Sequence, residues 1–195
     1  MKSPVLDLYP TQLALGMHEV DAKIKAFEAM GHHELQDYLE KHPVPVVLGP
    51  KKRHFLVDHH HLVRACWEAR VEEVHLSQLD DLSKLHEDEF WEKLAKKNWC
   101  HLYDPFGGGP HSYMNLPNSV RGLGDDPFRS LAWLVREAGG YEKSDEPFAE
   151  FQWANYFRAH LSTHPVVDDF EEARREALRI CRSPAAKTLP GYIGK

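Results

Sequence analysis

Phe55-Leu56-Val57-Asp58-His59-His60-His61-Leu62-Val63-Arg64-Ala65 is the stretch on which the fold turns. Three apolar residues run into an acid and three imidazoles, and the apolar positions then change from strand to helical spacing. The pattern predicts a strand entering a helix, with Asp58 as its N-cap and Leu62, Cys66 and Ala69 on the buried face. Upstream, Val44 to Leu48 reads as a strand, Gly49 to Lys52 as a turn and His54 to Val57 as its hairpin partner, while Val71 to Leu76 supplies another strand.

Working outward, Pro4 to Leu8 reads as a short strand. Met17, Val20, Ile24 and Phe27 recur at three and four, an amphipathic helix that Gly31 closes in a left-handed C-cap. A second helix runs from about Glu34 to Lys41. Beyond the decisive stretch, Glu87 to Lys97 reads as a helix, Trp99 to Tyr103 as a strand and Asp104 to Pro110 as a glycine-rich loop. Asp126-Pro127 opens a helix with Phe128, Leu131, Ala132 and Val135 on one face. Pro147 opens another, and a last helix is capped by Asp168 or Asp169, with an irregular arm after Ser183. The fold class expected is α+β, with a unit over 1–85 and a mainly helical half over 86–195 packed on the same core.

Composition bounds the function. With 195 residues, 42% apolar and 28% charged, the chain is long enough for a real core. No run approaches the roughly 18 apolar residues of a membrane span. Three cysteines without a CxxC pair suit a reducing compartment, so a cytoplasmic protein without a membrane partner is expected. The net charge of −6 gives no overall positive field for long nucleic acid, although a local basic groove is compatible with it. Fourteen histidines titrate near pH 6, where the net charge passes through zero and poor solubility is expected.

A strand-to-helix junction is an anion site, because the first-turn N–H groups and the helix dipole both favour negative charge. The dipole also favours neutral histidines there, able to ligate metal or take a proton. Consecutive helical side chains diverge by about 100°, so His59, His60 and His61 do not all reach one ion, and Asp58 with His60 is the first candidate metal pair. Mg, Mn or Zn fits such oxygen and imidazole donors. His60 and Arg64 share a helix face and can address one phosphate. The plainer alternative is a polar first turn capped by Asp58 with solvated histidines. Arg129, Trp133 and Arg136 form a second candidate surface, either for phosphate and base or for packing the next helix. The Gly107-Gly108-Gly109 loop lacks the Lys-Ser/Thr of a P-loop.

The box Asp58-His59-His60-His61 resembles the Asp-Gly-His-His box of the ParB-like nuclease branch of the ParB/sulfiredoxin-like superfamily, with His59 in the glycine position. Tyr9-Pro10-Thr11-Gln12 with Gly16, Glu19 and Lys23, Tyr103-Asp104-Pro105, Asp126 to Ala132, Gly139-Gly140-Tyr141 and Phe148 to Ala154 also resemble that branch. The resemblance implies a mixed sheet-and-helix scaffold with a phosphate-bearing ligand at the box. It implies catalytic roles for Asp58, His60, His61 and Glu19, phosphate contacts from His59, Arg64, Lys23 and Arg129, and a nucleotide or nucleic acid as partner. A reductase reading needs a cysteine in the box, where there is none. The enzyme expected is a nuclease or phosphoryl-transfer enzyme; the alternative is a non-catalytic nucleotide-binding or interaction module.

Overall fold

The computed structural model describes residues 1–162, 166 and 169–194. Its strands are β1 (Lys2–Pro4), β2 (Leu8–Tyr9), β3 (Ala14–Leu15), β4 (Val44–Leu48), β5 (His54–Leu56), β6 (Glu73–Asp81) and β7 (Gly124–Asp125). The helices are α1 (Met17–Ala29), α2 (His32–Lys41), α3 (His60–Glu68), α4 (Glu87–Lys96), α5 (Pro127–Glu137), α6 (Ala149–His160) and α7 (Phe170–Ile180). The class is α+β. Contacts divide the chain into two compact units, Met1–Leu15 with Val20–Gly124, and Gly16–Glu19 with Asp125–Lys195.

The first unit is built on a five-stranded mixed sheet in the order β1-β6-β4-β5-β2. β4 pairs antiparallel with β5 and parallel with β6, and β2 pairs parallel with β5. The 44–57 hairpin therefore forms as its sequence pattern indicates. Its turn is a 3-10 segment, Pro50–Lys52. Gly49 is required there, because an added Cβ would lie 2.6 Å from the Phe55 ring and 2.8 Å from that of Phe90. Strand β6 runs five residues past Leu76, since β4 pairs with Leu76 to Asp81 whatever their local polarity.

Several local expectations are corrected. Val5–Asp7 is a 3-10 turn that interrupts the first strand. Gly31 has φ −70° and is the N-cap of α2, not a left-handed C-cap. Residues 99–103 contribute an isolated bridge, His101 to Gln12, in place of a strand. Helix α3 begins at His60, and its N-cap is His59 rather than Asp58.

The second unit packs α5, α6 and α7 around Phe128, Leu131, Val135, Trp153, Phe157 and Ala177. Asp126 caps α5, its Oδ1 accepting from the Phe128 and Arg129 amides at 2.9 and 3.2 Å. Asp169 caps α7 by accepting from the Glu172 amide, and Asp168 lies outside the described residues. Gly16 approaches α5 so closely that a Cβ would lie 2.7 Å from the Ser130 nitrogen. The terminal segment is irregular apart from a 3-10 turn at Pro184–Ala186, and it is docked: Trp153 Nε1 donates to the Pro190 carbonyl at 2.7 Å, and Ala186 is buried. Among the described residues no helix is long and apolar enough to cross a membrane.

Candidate functional site

The box lies where β5 gives way to α3, in the first unit. His59 adopts φ 62°, ψ 23°, a left-handed conformation that turns the chain from strand into helix. A glycine reaches that conformation without a Cβ penalty, which accounts for the glycine that the resemblance places there. Asp58 is exposed, and its Oδ1 accepts from the His59 amide at 2.6 Å. The carboxylate thus bonds its neighbour rather than the helix's first turn, and no side chain makes a capping hydrogen bond on α3.

His60 points the other way, into the protein, with 5% exposure. The Thr11 amide donates to its Nε2 at 3.1 Å, and Thr11 Oγ1 donates to the Leu56 carbonyl at 2.6 Å. One residue therefore ties the end of β5 to the start of α3. Burial pushes the His60 pKa down to about 3, opposed by the Asp58 charge and reinforced by those of His61 and His59. An Nε2 that accepts a hydrogen bond carries no proton, so the ring is neutral with its proton on Nδ1. His61 is also buried.

Arg64 is 12% exposed at its side chain. Nη1 donates to the carbonyls of Val120, Arg121 and Leu123 at 3.1, 3.4 and 3.3 Å, while Nε and Nη2 reach Glu68 Oε1 at 2.9 Å. Its guanidinium also lies 5.0 Å from the Trp67 ring centroid. This arginine latches the 3-10 turn Val120–Gly122 onto α3. Lys23 is half-buried, and its charge partly offsets the burial that pushes the Cys66 thiol up to about 12. Cys100 is pushed up to about 11 by burial. Neither thiol is a thiolate at neutral pH.

Glu19 and Arg129 belong to the second unit. Arg129 Nη2 donates to Glu19 Oε2 at 3.1 Å, lies 3.9 Å from Glu150 Oε2, and its guanidinium is 5.6 Å from the Phe151 centroid. Arg136 pairs with Glu150 from the next turn of α5. The side chain of Arg129 is buried, with Nε and Nη1 lacking hydrogen-bond partners among the described residues. The Arg129 and Arg136 side of α5 therefore packs toward α6 in a cluster of alternating charge, in which Arg129 is buried and Glu19, Arg136 and Glu150 are partly so. Its acids come from α1 and α6, which i,i+4 spacing along α5 does not reveal.

Donor geometry limits the metal proposal. No group of three or more His, Cys, Asp or Glu among the described residues is gathered to hold an ion. His60 Nε2 is engaged by Thr11, so the imidazole-rich set of a zinc site does not fit. A lone exposed carboxylate fits Mg or Mn better, ions that commonly share one or two carboxylates with substrate phosphates. Thr11 is the site residue that sequence reasoning passed over. It stood in the Tyr9-Pro10-Thr11-Gln12 segment, and its partner across 49 residues left no local trace.

The family model described as "Putative ParB-like nuclease" matches residues 1–159. The chain belongs to this family. This ParB-like protein is also similar to the crystal structure of protein Atu1540 from Agrobacterium tumefaciens, with 38% identity, a TM-score of 0.91, and coverage of 100% of this chain and 98% of that one. No curated protein matches it in sequence.

Proposed function

We propose that this ParB-like protein acts on a phosphate ester of a nucleotide or nucleic acid, as a nuclease or phosphoryl-transfer enzyme, with Asp58 as the reacting carboxylate. The observation that carries the reading is the split within the box: Asp58 faces solvent while His60 is buried, neutral and held by Thr11. The start of α3 beside it supplies a partial positive charge for a phosphate. Asp58 accepts the proton of the attacking water or hydroxyl, and His60 is a positioning residue that fixes the strand-to-helix junction. Asp58 would be the residue to hold Mg or Mn brought with a substrate, and the ion would supply charge neutralisation there. His59, His61 and Lys23, in the same unit as Asp58, are proposed participants.

Purified protein is incubated with a single-stranded oligonucleotide, a duplex and nucleoside triphosphates in the presence of Mg or Mn. Asp58→Asn is expected to lose about 10²–10⁴ in rate, the usual worth of general acid–base assistance, with unchanged thermal stability. Full activity in a folded Asp58→Asn protein overturns the assignment. The engaged state of His60 Nε2, which takes that ring out of proton relay and metal ligation, favours a second reading, a nucleotide-binding module without chemistry, which predicts a ligand-induced rise in Tm and no product.

A further inference from the structure

Close along the chain to the box, the first unit carries a cleft of about 240 Å³ that includes Tyr9, Arg53, Phe55, Trp91 and Tyr113 in its lining. Tyr9 and Phe55 have centroids 5.5 Å apart, and Trp91 and Tyr113 stack at 5.2 Å with planes 9° apart. The Arg53 guanidinium lies 4.7 Å from the Tyr9 centroid. Such a volume is below that of a drug-sized pocket and suits a single ring system. Arg53 follows Lys51 and Lys52, which hold φ values of 59° and 58°. Two successive non-glycine residues in the left-handed region are strained, and such strain concentrates where function requires it.

One acid, Glu87, lines the cleft and another, Asp88, holds a lining residue, and each has a partner. Glu87 pairs with Lys51 at 3.1 Å, and Asp88 accepts from the Tyr113 hydroxyl at 2.8 Å. Arg53 is the cation among the cleft residues, which disfavours a cationic ligand. An aromatic platform with an arginine is the combination that binds unpaired bases and their phosphates. The cleft is close to the box along the chain. Tyr9 is two residues from Thr11, a reach of at most about 7 Å, and Phe55 is three from Asp58, at most about 11 Å.

We infer that this cleft is a base-binding subsite for single-stranded nucleic acid, in which one unpaired base stacks on the Tyr9/Tyr113 aromatic surface and Arg53 meets the adjoining phosphate. The choice of ligand rests on the phosphate-ester reading of the box. A strand held there places a neighbouring phosphodiester toward Asp58. Duplex DNA, whose bases are already stacked, has none to offer.

The test is fluorescence anisotropy of the full chain with a labelled ten-nucleotide strand, a duplex of the same sequence, and unlabelled nucleoside monophosphate as competitor. Tyr113→Leu and Arg53→Gln are each expected to raise Kd by about 5- to 150-fold. Tyr113→Phe, which keeps the ring, stays within about twofold of the parent. Arg53→Gln also lowers the slope of log affinity against log salt by about 0.7, the value for one phosphate on a single strand. Wild-type affinity in both Arg53→Gln and Tyr113→Leu overturns the subsite, as does failure of the parent to bind. Equal affinity for the duplex also overturns it, and displacement of the strand by equimolar monophosphate assigns the cleft to a free nucleotide instead. Weakened strand binding in these variants without any cleavage by the parent leaves the subsite standing and removes the nuclease reading. Cleavage by the parent that neither variant alters does the reverse.

Discussion

The Thr11 amide donates to His60 Nε2 at 3.1 Å, so the segment after β2 and the first turn of α3 are held together by an imidazole that has to stay neutral. Because the His60 pKa falls from 6.5 to about 3 through burial, the folded protein binds fewer protons here than the unfolded chain between those values. The contribution is full above about pH 6.5 and is lost progressively as pH falls toward 3. It amounts to roughly 5 kcal/mol over the whole window. Urea unfolding of the parent and of His60→Gln at pH 7, 5.5 and 4.5 checks this: the parent loses stability faster, by up to about 1.4 kcal/mol per pH unit. Parallel pH dependences would show that His60 titrates normally.

His59 tests the backbone. His59→Gly and His59→Ala both remove the imidazole, so their difference isolates the left-handed conformation at φ 62°. The glycine variant is expected to be the more stable by about 1 kcal/mol, read as a higher urea midpoint at unchanged m-value. Equal midpoints would mean that residue 59 relaxes out of that conformation at little cost.

Arg64 bonds three carbonyls of the 120–123 segment while keeping only 12% of its side chain exposed. Arg64→Met keeps much of the stem and removes the charge-assisted bonds, at an expected cost of about 2 kcal/mol. Hydrogen exchange of the 120–123 amides is expected to rise with it. If Arg64→Met instead weakens ligand binding at unchanged stability, the guanidinium leaves its carbonyls to meet phosphate.

The sequence pattern made most of the second unit legible, because Asp126-Pro127 is a helix start whose cap and first-turn proline act within a few residues. The hairpin was equally clear, since its alternation and turn are local. The far half of β6 was not, because Ser77 to Asp81 is polar and becomes strand only by pairing with β4. The site followed the same rule. The box could be placed on a strand-to-helix junction from its own residues, but the inward turn of His60 depends on Thr11, 49 positions away. The burial of Arg129 likewise depends on Glu19, 110 positions away.

Arg129 holds a charge in a buried setting with Nε and Nη1 lacking partners among the described residues, so its ion pair with Glu19 at 3.1 Å is the direct compensation for its burial. Glu150 contributes from 3.9 Å but already binds Arg136. Glu19→Gln keeps the shape and an acceptor while removing the charge, and leaves a buried cation short of its counterion. Breaking such a pair costs on the order of 3 kcal/mol, which for a chain of this size lowers Tm by very roughly 10 °C. The double variant Glu19→Gln with Arg129→Met removes both charges and is expected to recover part of that loss. A double variant that costs as much as Glu19→Gln and Arg129→Met measured singly and added together would put the coupling energy of the cycle at about zero, and would mean that Arg129 is stabilised by groups other than Glu19.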